Sequence, residues 1–167
     1  MIVVTLISFV LLAGFIALSI VKIGKLSCWS KYGAEWAKIA PIHNVNLWSA
    51  VNVVSALLIV PPMVQRGADN PLQFLGFFAP LFLLLVGFTP DYQDTKKKNA
   101  IHQVGAWGCV VMVMLWLILI RHLWFIVLPC FVLALVVMLG TRSEWKDWEL
   151  FGECAMFASV YVALLIP

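Results

Sequence analysis

The chain has 167 residues, of which 63% are hydrophobic and only 11% are charged, and its net charge is +3. Soluble domains carry about 25% charged residues, so this composition excludes a disordered chain and argues against an ordinary soluble domain. The small net charge gives no reason to expect a nucleic-acid partner, which would need basic residues clustered on one surface. The composition is that of an integral membrane protein surrounded by a lipid bilayer.

Long apolar runs recur along the chain. A helix needs about 20 apolar residues to cross a bilayer core, rising about 1.5 Å per residue. The runs are continuous, whereas the strands of a membrane barrel alternate apolar and polar residues, so helices are predicted. We therefore expect an all-α integral membrane protein, a six-helix transmembrane bundle forming a single domain over 1–167. The predicted spans are about 2–21, 46–64, 71–89, 101–120, 123–140 and 150–166.

The basic residues predict the orientation of these helices. Lysine and arginine concentrate in cytoplasmic loops, and the even-numbered loops hold only Arg66 and Arg121. We therefore expect a multi-pass protein of the cell (inner or cytoplasmic) membrane, with odd-numbered loops inside and both termini outside. The run 2–21 precedes its lysines, which predicts a retained helix rather than a cleaved signal peptide. The odd-numbered loops contain Lys22, Lys25, Lys31, Lys38, Lys96, Lys97, Lys98, Arg142 and Lys146.

The first loop contains a short amphipathic pattern. Its apolar residues recur at helical spacing, which predicts a short helix at about 29–40 lying in the membrane interface. An irregular loop with aromatic anchors is the alternative, because Gly33 and Pro41 interrupt the pattern. The stripe consists of Trp29, Tyr32, Trp36 and Ile39.

Small and polar residues within the spans indicate where helices meet. Helices in lipid associate through small residues and a few polar contacts. The sixth helix carries Ala155, Ser159 and Ala163 at four-residue spacing, and the first carries Ala13 and Ala17. These faces pack either between helices of one bundle or between two protomers.

The second helix carries polar side chains over about half of its circumference. These side chains make either hydrogen bonds between helices or the wall of a polar cavity. They are Asn46, Ser49, Asn52 and Ser55.

The predicted topology brings five polar residues to one membrane depth: Glu153, His102, Asp91, Asp94 and Asn46. We expect Glu153 and His102 to lie within direct or one-water reach, or to share one of the other three residues as an intermediary. The cluster is a hydrogen-bonded lock between helices, a metal or acid/base site, or a path for a solute or proton. No HExxH or HxxxH spacing and no CxxC pair occurs, so we assign no metal, cofactor or catalytic residue.

Three segments carry a resemblance. Leu85–Tyr92 reads LVGFTPDY, Ile101–Ala106 reads IHQVGA, and Glu153–Phe157 reads ECAMF. Together they resemble a group of small uncharacterised multi-span membrane proteins of phage and gut bacteria, whose pattern is similar to VGxxPxY, VHxxGA and ExxxF. The resemblance implies no activity, but it singles out Asp91, His102 and Glu153.

We expect a non-catalytic protein that acts within the bilayer and self-associates, with a small pore as one form of such an assembly. No nucleotide-binding or protease motif occurs. One alternative is a membrane-embedded hydrolase or metal-binding enzyme using His102, Asp91 and Glu153, and another is a proton-coupled carrier of small solutes. Anionic lipid is a further possible partner, at Lys96, Lys97 and Lys98.

Overall fold

The computed structural model describes residues 1–39, 46–141 and 148–167. Within these ranges the chain forms helices and turns and contains no strand, so the prediction of an all-α fold is confirmed. A π-helical turn, Trp116–Ile120, continues α5, and a short 3₁₀ turn, Trp124–Ile126, precedes α6. The α-helices are α1 (Ile2–Ile23), α2 (Trp29–Ile39), α3 (Leu47–Gln65), α4 (Leu75–Gly87), α5 (Lys96–Leu115), α6 (Val127–Gly140) and α7 (Trp148–Leu165).

Four of these helices are long and apolar enough to cross a membrane. They are α1, α3, α5 with its π-helical continuation, and α7. The other two apolar helices are shorter, and α4 has only 13 residues because the chain from Pro71 to Phe74 forms turns. Thirteen residues rise about 20 Å, which is less than the roughly 30 Å hydrocarbon core of a bilayer.

α5 begins earlier than the predicted span at 101. The side chain of Thr95 accepts a 3.2 Å hydrogen bond from the backbone N–H of Lys98, which caps the helix. This capping allows the three lysines Lys96–Lys98 to form the first turn. Hydropathy placed the start later because it registers only the apolar part of the helix.

The helices form a bundle that joins both consecutive helices and helices far apart in the chain. α4 packs against α3 and α5, α1 packs against α3 and α7, and α6 packs along α7. Glycines allow the closest approaches: a Cβ on Gly76 would lie 2.8 Å from the backbone carbonyl carbon of Met63. A Cβ on Gly105 would lie 2.9 Å from Cβ of Leu85. The α3–α4 and α4–α5 contacts therefore depend on residues without side chains.

α2 is the helix predicted at 29–40, and its aromatic face is buried inside the protein. Trp29, Tyr32 and Trp36 are 2%, 0% and 5% exposed, whereas Ile39 is 55% exposed. The ring of Phe15 in α1 lies 5.2 Å from that of Trp36, and the ring of Trp48 in α3 lies 6.0 Å from that of Trp29. The aromatic rings of this stripe therefore pack against neighbouring helices instead of facing lipid, and the position of α2 at the membrane interface stays a prediction.

The small residues of α7 are also buried within the single chain. Ala155, Ser159 and Ala163 are at most 2% exposed. On the same helix, Tyr161 lies 2.7 Å from the Ser8 hydroxyl of α1, which donates to the carbonyl of Ser55 in α3. Since the serine has one proton, the tyrosine hydroxyl is the donor between the two side chains. These bonds join three helices in the middle of the bundle.

Basic residues lie at both ends of the bundle, but they make different contacts. At the end of α7, Arg66 donates to the carbonyl of Leu164, and Arg121 donates to the carbonyls of Ala163 and Ile166. These bonds satisfy carbonyls that the end of a helix leaves without partners. Most of the lysines follow α1 or lie in α2 and the first turn of α5, while Arg142 and Lys146 lie outside the described residues.

Candidate functional site

The polar cluster is built around the first turn of α2. Glu153, in the second turn of α7, accepts a 2.6 Å hydrogen bond through Oε2 from the backbone N–H of Trp29. The backbone N–H of Leu150 in turn donates to the carbonyl of Ser27, at 2.9 Å. The first N–H groups of a helix have no partner within it, and the helix dipole stabilises a negative charge at this end. α7 therefore supplies a hydrogen-bond acceptor for the start of α2, and the turn just before α2 supplies one for the start of α7.

His102 is 2% exposed and bonds on both sides of its ring. Its Nε2 lies 2.8 Å from the hydroxyl of Ser30 in α2, and its Nδ1 lies 3.0 Å from the hydroxyl of Thr89. The ring of Tyr92 stacks on the imidazole with a centroid separation of 4.2 Å and an interplanar angle of 17°. The histidine is therefore fixed in position and orientation.

The threonine determines which tautomer the neutral imidazole adopts. The hydroxyl of Thr89 donates its only proton to the carbonyls of Leu85 and Val86, at 2.8 and 3.2 Å. It must therefore accept from Nδ1–H of His102. Nε2 is then an acceptor, and the hydroxyl of Ser30 donates to it.

Glu153 and His102 bond to consecutive residues of α2. The expected intermediaries were Asp91, Asp94 and Asn46, but the observed connection runs through Trp29 and Ser30. α7 and α5 thus hold the same turn of α2 from two directions. The sequence predicted one membrane depth for both ionisable residues, which stays a prediction, but it did not identify α2 as the segment between them.

Asn46 holds α2 from a third direction. Its Oδ1 accepts from the backbone N–H of Ser49 at 2.8 Å and caps α3. Its Nδ2 donates to the carbonyl of Gly33 in α2 at 2.9 Å. The residue is 5% exposed, so its amide joins two helices in a buried position.

Asp91 and Asp94 both pair with Lys98 at the surface, apart from the buried residues. Lys98 Nζ contacts the carboxylate of Asp91 and lies 3.6 Å from that of Asp94. The side chains of these aspartates are 44% and 62% exposed. The hydrogen bond from Lys98 lowers the pKa of Asp91 below its usual value. The candidate residues therefore divide into a buried set, Asn46, His102 and Glu153, and this exposed pair.

The polar side chains of α3 are buried, and only some of them have hydrogen-bond partners among the described residues. Asn52 accepts from Nε1 of Trp29 at 3.0 Å and donates to the carbonyl of Trp48 at 2.8 Å. The hydroxyls of Ser49 and Ser55 have no hydrogen-bond partner among the residues that the structure describes. This face makes interhelical bonds within one chain.

Ser30, Thr89 and Tyr92 were not among the residues singled out from the sequence. Ser30 lies on the buried side of α2, one turn before Gly33, so helical periodicity could have marked it as a packed position. Nothing local indicates its partner, because His102 lies 72 positions away. Thr89 precedes Pro90, which marks a helix end but gives no sign of a histidine contact.

Other possible sites lie away from this cluster. Across residues 1–39, 46–141 and 148–167, no group of three or more His, Cys, Asp or Glu residues could hold a metal ion. A groove of about 620 Å³ lies between α5 and α6, and a cavity of about 240 Å³ lies beside Thr5 and Arg66. The groove is lined by Met114, Ile118, Trp124, Val127, Leu128 and Phe131.

Comparisons with protein-family models, with curated proteins and with solved structures found no match for this chain. The function is therefore argued from the fold and the polar cluster.

Proposed function

We propose that the protein is an integral membrane protein that acts within the bilayer and self-associates. In the proposed arrangement all six predicted spans cross the membrane, with α4 and α6 as the shorter ones. The observation that carries the proposal is the hydrogen bonding of the buried cluster, where Glu153, His102 and Asn46 each bond to α2. Buried polar groups bonded in this way fix the position of a helix.

The same arrangement supports the proposed orientation. The lysines of the first loop and of the start of α5 face the cytoplasm, while Arg66 and Arg121 lie on the other side with the end of α7. The two exposed lysines Lys96 and Lys97 bind anionic lipid, because Lys98 is the one lysine of this turn that contacts an aspartate among the described residues. Each basic residue near an anionic surface contributes about 1 kcal/mol.

The outward face of α1 is the proposed surface of self-association. Helices in lipid associate where small residues let their backbones approach closely. Gly14 and Ala17 are exposed, and apart from the neighbouring residues and backbone of α1 itself, no described atom lies within 4 Å of a Cβ built on Gly14. The comparable face on α7 is already buried within the chain, so it is not available to a second copy.

The oligomeric state in a bilayer tests this proposal. We expect dye-labelled protein in lipid vesicles to bleach in more than one step, and Gly14→Leu to weaken association at least about tenfold, or 1.4 kcal/mol. Gly140→Leu is the matched control, since Gly140 also has open space around it but lies on α6. A monomeric wild-type protein would contradict self-association. Ion conduction by the assembly, measured in planar bilayers, would identify it as a pore.

A further inference from the structure

The hydroxyl of Ser30 lies beside a histidine that is oriented to accept its proton, an arrangement that points beyond the proposed function. We propose that Ser30 is a nucleophile and His102 its general base, in a site that takes the acyl group of an ester-linked lipid. A serine is activated when a positioned base accepts its proton and a third group orients that base. All three parts are present in Ser30, His102 and Thr89.

The hydrogen-bond directions match this chemistry. Ser30 Oγ lies 2.8 Å from Nε2 of His102, within the range of about 2.6–3.2 Å for a nucleophile and its base. Because Thr89 accepts from Nδ1–H, the neutral ring presents the lone pair of Nε2 to the serine. A ring with the opposite tautomer would donate to the serine and could not accept its proton. Thr89 thus acts as a positioning residue that keeps the imidazole in the reactive tautomer.

The position of the site favours a lipid ester. Ser30 is in the first turn of α2, and His102 is in the second turn of α5, soon after the exposed lysines that mark the proposed membrane boundary. The ester linkages of phospholipids lie at this boundary, between headgroups and hydrocarbon. Ser30 and His102 are 8% and 2% exposed, and the half-buried ring of Tyr92 covers one face of the imidazole. The turn that carries Tyr92 must therefore move for an ester to reach the serine.

The reaction is an ordinary acyl transfer. The proton of Ser30 Oγ passes to Nε2 while Oγ forms a bond to the ester carbonyl carbon. The bond between that carbon and the leaving alkoxide then breaks, and the alkoxide takes the proton from Nε2. Water subsequently hydrolyses the acyl-serine, releasing the fatty acid and restoring the Ser30 hydroxyl.

An alkyl fluorophosphonate tests the site in the full-length protein in lipid nanodiscs. Ser30 Oγ forms a bond to phosphorus, fluoride leaves, and His102 takes the proton. We expect mass spectrometry to find the adduct on Ser30 and to find none in Ser30→Ala. We expect His102→Gln to slow labelling by about 100-fold or more. Thr89→Val should slow it about tenfold, corresponding to one lost hydrogen bond.

Ser159→Ala is the matched control, because Ser159 is buried and bonded only to the carbonyl of Ala155 among the described residues. It should label at the wild-type rate. A long-chain probe that reacts faster than a short-chain probe supports a lipid ester, and the reverse order overturns the lipid assignment. Folded wild-type protein that forms no adduct with either probe overturns the nucleophile, as does His102→Gln that labels at the wild-type rate. Neither result bears on self-association, so failure of the two proposals can be distinguished.

Discussion

The carboxylate of Glu153 accepts a hydrogen bond from the backbone N–H of Trp29 at 2.6 Å, across 124 positions of sequence. The acidic residue on one helix thus completes the hydrogen bonding at the start of another. The carboxyl group also lies at the positive end of the α2 dipole, which favours its charged form. A carboxyl group within an apolar helix is costly in free energy, and this hydrogen bond provides it with a specific partner.

Glu153→Gln tests the contribution of this charge. Glutamine keeps the shape and can still accept the bond, but it loses the charge at the helix start. We expect the free energy of unfolding to fall by about 1–3 kcal/mol, measured by denaturation in detergent micelles. Glu149→Gln is the control, because Glu149 is exposed on the same helix. Equal effects of the two substitutions would show that the hydrogen bond to Trp29 does not account for the loss in the free energy of unfolding.

The exposed ion pair predicts a pH dependence. The hydrogen bond from Lys98 lowers the pKa of Asp91 in the folded protein below the unfolded value near 3.8. The stabilisation is therefore present above pH 4 and is lost as pH falls through the folded pKa. We expect wild type to be more stable than Asp91→Asn near pH 6, and the difference to disappear in strong acid. Asp69→Asn serves as the control, and a difference independent of pH would contradict the ion pair.

Gly76 tests the close contact between α3 and α4. A Cβ at this position would lie 2.8 Å from the backbone of Met63, so one helix must shift in Gly76→Ala. We expect a loss of about 1–3 kcal/mol in the free energy of unfolding, typical of overpacking. Gly152→Ala is the comparison, since its Cβ would lie 3.9 Å from Phe131, an ordinary contact. Equal stability of the two variants would show that α3 and α4 are not in close contact at Gly76.

The small-residue face of α7 predicts a second overpacking effect. Ser159 is fully buried between Ala155 and Ala163, so Ser159→Leu adds volume where no space is open. We expect destabilisation of about 1–3 kcal/mol, measured in the same unfolding assay. Val162→Leu is the control, because Val162 is 39% exposed on the same helix. Unchanged stability and unchanged oligomeric state in Ser159→Leu would show that this face meets lipid.

Cysteine labelling tests the proposed orientation, in a variant lacking the four native cysteines. We expect Lys97→Cys and a cysteine at position 145 to react only from the cytoplasmic side, although position 145 lies outside the described residues. Position 67 is expected to be external, but Gly67 is buried against Ile120, so Asp69 in the same loop is the better site. Labelling of position 97 from outside would reverse the orientation.

The class of protein and most of its helices could be predicted from the amino-acid sequence alone. Continuous apolar runs require helices in lipid, because a membrane offers the backbone no other hydrogen-bond partner. The pattern of Trp29, Tyr32 and Trp36 likewise predicted α2, since helical periodicity is a local property of sequence. The sequence also grouped Glu153 with His102, because their distances from helix ends can be counted, and both residues bond to the first turn of α2.

The contacts of these residues, in contrast, could be established only from the folded chain. An amphipathic helix has the same periodicity whether its apolar face meets lipid or protein, so the burial of α2 against Phe15 and Trp48 could not be read from its pattern. The bonds from Ser30 to His102 and from Trp29 to Glu153 join positions 72 and 124 residues apart. Such contacts arise when the chain folds back after α1, which brings the starts of α2, α5 and α7 together.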